Sequence, residues 1–152
     1  MTNSNFSQNT TSKDYGDAPK IKIWDQIGNI DGEAAYDWSG SSVALSADGS
    51  VVAIGATGND GINGVNSGHV RIYKNDNGIW RQVGDDIDGE VGADASGWSV
   101  DLSSDGSVVA IGADGNDGIS LYSQFTGEQI FNGSESGHVR IYQYENDSWT
   151  QI

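Results

Sequence analysis

Short stretches of alternating apolar and polar residues recur along the chain, and turns rich in Gly and Asp separate them. Apolar residues at positions 43, 45, 51 and 53 flank Asp48-Gly49. An Asp-Gly pair between two such stretches predicts a hairpin, because both turn residues tolerate positive φ. Alternation in 69–73 and a short stretch at 80–84 predict two further strands. With no helical period anywhere, the pattern predicts units of about four short antiparallel strands.

The whole unit occurs twice. The segments DGSVVAIGA, GNDGI, SGHVRIY and IDGE begin at residues 48, 58, 67 and 30, and they recur at residues 105, 115, 136 and 87. Most of the two copies are offset by 57 residues, but the offset becomes 69 after residue 119 because 120–135 replaces 63–66. Matches of this length indicate duplication, with a loop insertion in the second copy.

These observations predict an all-β fold with two four-stranded antiparallel blades of the β-propeller type. A W-x-Q-[IV] segment opens at Trp24, Trp80 and Trp149, so two complete units are accompanied by one additional Trp strand. We divide the chain into a disordered polar leader and a two-blade region that ends in the start of a further repeat. The boundaries are 1–20 for the leader, 21–152 for the two-blade region, about 24–79 and 80–148 for its repeats, and 149–152 for the further start.

Two blades do not close a ring, because propellers have roughly 4–8 blades. Exposed blade faces would leave apolar surface in contact with water. Three outcomes follow: a fragment of a longer array, a homo-oligomer that completes the ring, or a stable two-blade protein.

The motifs that carry a family resemblance are SGSSVAL at 39–45, VAIGA at 52–56 and GHVRIY at 68–73, with their second copies. In this order they resemble the FG-GAP repeat, the blade unit of integrin-α-type β-propellers. The Trp-led segments at 24–28 and 80–84 resemble the bacterial variant of that repeat. The resemblance covers residues from about 24 to 152, and it implies an extracellular adhesion or recognition role without catalysis.

The chain departs from the family pattern at several positions. Ser39 and Ser96 stand at the Phe position of the FG motif, and Thr57 and Asp114 stand at the Pro position of the GAP motif. The family's Asp-rich calcium loop is replaced by the short turns around Asp48 and Asp105, which are too short to supply 6–8 oxygen ligands. Calcium binding is therefore not carried over from the family.

Alternating carboxylates form a separate candidate site. Acidic residues in loops could bind Ca²⁺ through their oxygens, could act in pairs on a glycosidic bond, or could simply form turns and solvated surface. The weak calcium hypothesis concerns Asp31, Glu33, Asp37, Asp88, Glu90 and Asp94. No other cofactor is predicted.

Aromatic residues outside the repeat pattern are candidate ligand contacts. Trp38 and Trp98 do not occupy equivalent positions, and the insertion at 120–135 carries Tyr122 and Phe125. Long loops on a rigid scaffold often carry function, although this one could instead cover an open sheet edge. The repeated Trp residues at 24, 80 and 149 are better explained by packing between blades.

The histidines and the arginines of the repeat are interpreted as structural. His69 and His138 occupy the same position of the two SGHVRIY segments, as Arg71 and Arg140 do. Catalytic groups are usually single, so a duplicated position favours a structural role, with the arginines paired to nearby carboxylates.

Composition narrows the class of partner. The formal net charge of −15 opposes binding to nucleic acid and to anionic membranes. The absence of Cys excludes disulfides and zinc–thiolate sites. No apolar stretch is long enough to span a membrane, and no signal peptide is visible, so the chain either stays inside the cell or leaves by another route.

We therefore expect a non-enzymatic extracellular or surface module that binds a protein. The alternatives are a carbohydrate-binding propeller, a glycosidase and a structural remnant of a longer repeat protein. The sequence contains no recognisable catalytic set of residues.

Overall fold

A computed structural model describes residues 25–116, 121–122, 129–130 and 136–152 of the chain. For 121–122 and 129–130 only the backbone is described. The predicted leader, Trp24 and Phe125 lie outside the described residues, as does the side chain of Tyr122. No helix occurs in the described part of the chain, which confirms the all-β prediction. None of the described segments is therefore a helix that could cross a bilayer.

The first antiparallel sheet has five strands, one more than predicted. Its spatial order follows the sequence, with β1 (Ser39–Leu45), β2 (Val51–Ala56), β3 (His69–Asp76) and β4 (Ile79–Gln82). The fifth strand, β5 (Ile87–Asp88), pairs with the start of β3 where β4 has ended. The IDGE segment of the second copy therefore extends the sheet of the first copy.

The second antiparallel sheet repeats this order. Its strands are β6 (Ser99–Leu102), β7 (Val108–Ala113), β10 (His138–Glu145) and β11 (Ser148–Gln151). Within the long β7–β10 connection, β8 (Leu121–Tyr122) and β9 (Gln129–Ile130) pair as a small hairpin. The Trp-led segments at 80 and 149 are thus the outermost strands of the first and second sheets.

The predicted Asp-Gly hairpins are present in both copies, where they join β1 to β2 and β6 to β7. Between β1 and β2 only Gly49 has positive φ, at 71°. Asp48 instead accepts bonds from the Ser50 amide at 2.9 Å and the Ser46 hydroxyl at 2.7 Å. These bonds, the amide first, lower the Asp48 pKa to about 2. The equivalent Asp105 has the same kind of partners and a pKa of about 2, so the carboxylate holds the turn in both copies.

Each sheet has two distinct faces, because alternate residues of a strand point to opposite sides. In the first sheet we name the face that carries Val52 and Ile54 the front face. The opposite face, with Ala53 and its cross-strand partner Ile72, is the back face.

The second sheet presents its equivalent front face, with Val109 and Ile111, to the back face of the first sheet. Its own back face carries Ala110 and Ile141. The buried cluster between the sheets comprises Val51, Ala53, Val70, Ile72, Ile87, Val109, Ile111 and Tyr142. The core therefore lies between two sheets stacked front to back, as neighbouring blades are in a propeller. Two sheets leave the ring open.

Trp149 connects the two copies at their outer edge. Its indole N–H donates to the Val83 carbonyl at 2.8 Å, and its ring lies against Gly84. Trp80 lies in the same way against Gly28. The prediction that the repeated Trp residues pack between blades is confirmed for Trp149, the Trp at the junction of the two sheets.

Candidate functional site: the loop edge

Three connections meet at one end of the stacked sheets. They are 31–38 before β1, 57–68 between β2 and β3, and 89–97 before β6, and we call this end the loop edge. The Gly58 amide donates to the Asp37 carbonyl at 3.0 Å, and the Ala93 amide donates to the Val65 carbonyl at 2.9 Å. These bonds fix the loops against one another, so their side chains form one continuous surface.

A buried Asp organises the loop before each sheet. Asp94 accepts bonds from the amides of Glu90 and Val91, both at 2.9 Å, and from the Asn116 side chain at 3.1 Å. Asp37 accepts from the Ala34 amide at 2.9 Å and from the Asn59 side chain at 3.3 Å. Both carboxylates therefore act as caps that hold the loop conformation.

An acidic pocket of about 400 Å³ lies within the loop edge, and Glu33, His69, Asp86 and Asp88 line it. Buried His69 directs its Nδ1 towards two carboxylates, 3.6 Å from Asp86 and 3.9 Å from Glu33. The other oxygen of Glu33 lies 3.5 Å from an Arg71 nitrogen. Burial first, and then the Asp86 charge, raise the Asp88 pKa, which shows how closely the negative charges are held.

The ligand atoms of Glu33, His69 and Asp86 lie within 4.8 Å of one another. Divalent cations bind to sets of ligand atoms that combine carboxylate oxygens with an imidazole nitrogen. Glu33 and Asp86 also lie 3.5–3.9 Å from nitrogen atoms of His69 or Arg71. Exposed acidic groups are common without a metal.

The equivalent groups of the second copy make direct contact. His138 Nδ1 lies 3.0 Å from a Glu90 oxygen. Arg140 donates to the Asp88 carbonyl at 2.7 Å and to the Ser96 hydroxyl at 3.2 Å. The expected pairing of the repeat arginines with carboxylates therefore holds for Arg71, whereas Arg140 bonds neutral oxygens.

Large apolar side chains are exposed along the loop edge. Tyr36 and Val65 line one cavity of about 410 Å³. The side chains of Ile62 and Tyr36 are 91% and 85% exposed, and Val65 and Val91 are exposed as well. Exposed apolar side chains grouped at one end of a fold are a feature of binding sites.

Two residues of this surface have a strained backbone. Tyr36 and Trp38 have φ of 73° and 55°. Their equivalents Ala93 and Ala95 have φ of 69° and 53°. Positive φ is unfavourable for bulky side chains, so the first copy places two aromatic residues where the loop conformation favours small ones. Such strain is typical of functional positions.

The comparison with protein families identifies the repeat. The family model described as the FG-GAP repeat matches residues 30–73. Residues 30–73 therefore match the FG-GAP repeat, as the sequence motifs suggested. The match begins in the loop before β1 and ends within β3, so it contains most of the first sheet. A search of curated proteins returned no match.

FG-GAP repeats are propeller blades, and the two stacked sheets agree with that architecture. The second copy shares the repeat's motifs and its strand order. The resemblance inferred from the sequence motifs is thus confirmed for the first copy.

The six predicted calcium ligands lie in different surroundings. Glu33 and Asp88 line the acidic pocket, whereas Asp37 and Asp94 are buried loop caps. Asp31 is exposed beside Asn29. Glu90 contacts His138 and, together with Asp94, accepts a bond from the Asn116 side chain. Calcium binding remains a prediction.

The two predicted tryptophan contacts lie against different segments of the chain. The Trp38 ring lies against Gly58 in the loop edge. Trp98 lines a different depression, with Gly112, His138 and Val139. Both rings are exposed, and their role in ligand binding remains a prediction.

Sequence reasoning did not identify Tyr36, Ile62 or Val65 as surface residues. The available signal was the mismatch of Tyr36 with Ala93 in the aligned copies. An aromatic side chain that replaces Ala at one loop position of a repeat indicates a role specific to that copy.

Proposed function

We propose that this chain is a non-enzymatic β-propeller repeat module of the extracellular space or the cell surface, and that it recognises a protein through the loop edge. The observation that carries the proposal is the exposed apolar surface of Tyr36, Ile62, Val65 and Val91 on a rigid pair of sheets. Tyr and branched apolar side chains supply binding area with little loss of conformational entropy.

Charge and family agree with this proposal. The formal net charge of −15 opposes nucleic acid as a partner. FG-GAP repeats are non-catalytic and typically extracellular. Acidic groups around the apolar residues, among them Glu33 and Asp60, would favour a partner surface that carries basic residues.

The test is binding of the purified chain to a panel of immobilised extracellular-matrix proteins and to a glycan array. We expect saturable binding to a protein, which the double variant Tyr36→Ser/Val65→Ser weakens at least tenfold. The matched control is Ile79→Ser, since Ile79 is also exposed and apolar but lies in β4, by the turn at the opposite end of the sheet.

Two results would contradict the proposal. One is equal binding by the double variant and the control. The other is binding to glycans alone, with loss on Trp38→Ala, which would support the carbohydrate-binding alternative. Thermal unfolding of each variant verifies that a loss of binding is not a loss of fold.

A further inference from the structure

The two sheets bury equivalent residues to very different extents. On the back face of the first sheet, Val70 and Ile72 are 0% and 1% exposed under the second sheet. Their equivalents Val139 and Ile141 are 64% and 42% exposed on the back face of the second sheet. The second back face therefore has the residues of an inter-sheet core, but no sheet of the described residues covers them.

The front faces show the complementary difference. Val100 and Leu102 of the second sheet pack against the shared core. Their equivalents Val43 and Leu45 are 63% and 61% exposed on the front face of the first sheet. One end of the stack thus presents a front face on which Val43 and Leu45 are exposed, although Val52 and Ile54 of that face are buried, and the other end presents an exposed back face.

Glycine positions give an independent sign of a missing neighbour. A Cβ on Gly68, which has φ of 71°, would overlap the backbone of Ser96, because the 94–97 segment lies directly against the first sheet. The equivalent Gly137 has φ of 72°, yet the nearest atom to its added Cβ is 3.8 Å away. At Gly137 the second sheet therefore has the backbone conformation that allows a close approach, but no described segment lies against it.

The front face of the first sheet is partly covered by the chain itself. Residues 27–30 lie over it and, with Val43, Leu45 and Trp80, line an open groove of about 320 Å³. Gly28 contacts Trp80 there as Gly84 contacts Trp149 at the internal junction. Between the two sheets of one chain, the back face of the first sheet fills the space in front of the second sheet. The groove is the equivalent space in front of the first sheet.

We propose that these two faces bind each other between copies of this chain, head to tail, by the same front-to-back packing that joins the two sheets within it. Val139 and Ile141 of one copy then cover Val43 and Leu45 of the next. The segment 37–40 enters the depression lined by Trp98, in the way that 94–97 approaches Gly55 and Gly68 within the chain.

Such a contact joins two different surfaces, so it repeats from copy to copy and forms a ring where its rotation closes. Closure at 4–8 blades corresponds to about two to four copies, each contributing its two described blade sheets. The loop edge remains available, because Val65 and Ala93 are exposed at the internal junction. The assembly therefore goes beyond the proposed recognition function and does not depend on it.

The test uses light scattering and sedimentation of the full chain at physiological salt, which screens the repulsion between copies of net charge −15. We expect a discrete oligomer that dissociates on dilution. A chain that stays monomeric at every concentration would overturn the proposal, even if a different protein covered the two faces.

Two variants separate head-to-tail contact from other modes of association. The front variant is Val43→Asp/Leu45→Asp, and the back variant is Val139→Asp/Ile141→Asp. Each alone is expected to be monomeric, whereas an equimolar mixture forms a 1:1 dimer that grows no further, since one intact front face meets one intact back face. A front variant that still self-associates, or a mixture that stays monomeric, would contradict the proposal.

The control is Ile62→Asp, which adds a charge at a side chain that is 91% exposed and outside both faces. It should assemble like the unmodified chain, and failure to assemble would show that added charge alone prevents association. If an Asp variant fails to fold, the milder pairs Val43→Thr/Leu45→Thr and Val139→Thr/Ile141→Thr replace it, with the same expected result.

Discussion

The first and second sheets contain nearly the same residues in the same strand order, but only one side of each takes part in the shared core. VVAIGA forms the second strand of both sheets. It is buried throughout β2, whereas in β7 alternate residues are only half-buried. Identical sequence therefore gives different burial, and the difference is set by whether a neighbouring sheet is present. In this fold the unit of stability is the junction between sheets rather than the sheet itself.

The largest effect should distinguish Ile72 from its equivalent Ile141. Ile72→Ala leaves a cavity in the core and is expected to lower the free energy of unfolding by about 2–5 kcal/mol. Ile141→Ala, measured in dilute solution where the chain is monomeric, should cost less than about 1 kcal/mol. Urea unfolding of both variants measures the difference. Equal losses would mean that both back faces are covered within one chain.

The next effect concerns the matched glycines Gly68 and Gly137. Ala at either position adopts an unfavourable positive φ, at a cost of about 1–2 kcal/mol. At Gly68 the methyl group also meets the backbone of Ser96, so Gly68→Ala should lower the thermal midpoint clearly more than Gly137→Ala. Equal midpoints would contradict the close approach of 94–97 to the first sheet.

A smaller difference is expected between the loop caps Asp94 and Asp37. Asp94→Ala removes the acceptor of three hydrogen bonds, and unsatisfied buried donors cost about 1–3 kcal/mol. Asp37→Ala removes two and should cost less. Chemical denaturation with and without a chelator measures both. A loss that appears only without chelator would instead indicate that these carboxylates bind calcium.

The smallest expected difference is between the turn carboxylates Asp48 and Asp105, whose replacement should change the acid sensitivity of the two copies equally. Asp48 and Asp105 both have a pKa of about 2, below the ordinary 3.8. A lowered pKa means that their stabilisation is complete above pH 3.8 and is lost as the pH falls towards 2. Asp48→Asn and Asp105→Asn should each remove an equal part of this acid sensitivity, as followed by circular dichroism. Unequal effects would show that one turn is held by other contacts.

The strands were predictable because their signals are local. Alternation, Asp-Gly turns and the duplicated segments indicate four strands per unit without knowledge of the fold. The fifth strand was not predictable, because Ile87 and Asp88 pair with His69 and Val70 only after the chain has passed β4. The hydrogen bonds of the turn were not predictable in detail, since they depend on how the Asp48 carboxylate is placed against the Ser50 amide.

The candidate site was less predictable than the fold. The sequence grouped Asp37 and Asp94 with Glu33 and Asp88 because acidic residues look alike in a sequence. Burial and hydrogen bonding separate them into caps and pocket residues. The exposed surface of Tyr36 and Val65 depends on loops that meet through tertiary contacts, and no local pattern encodes such a meeting.

Every comparison above depends on the front-to-back stacking of the two sheets, on which methyl NOE measurements report. In dilute monomeric solution, methyl groups of Ala53 or Ile72 in the first sheet should show NOEs to those of Val109 or Ile111 in the second. Their absence, or NOEs from Val109 and Ile111 only to residues of their own sheet, would contradict the shared core.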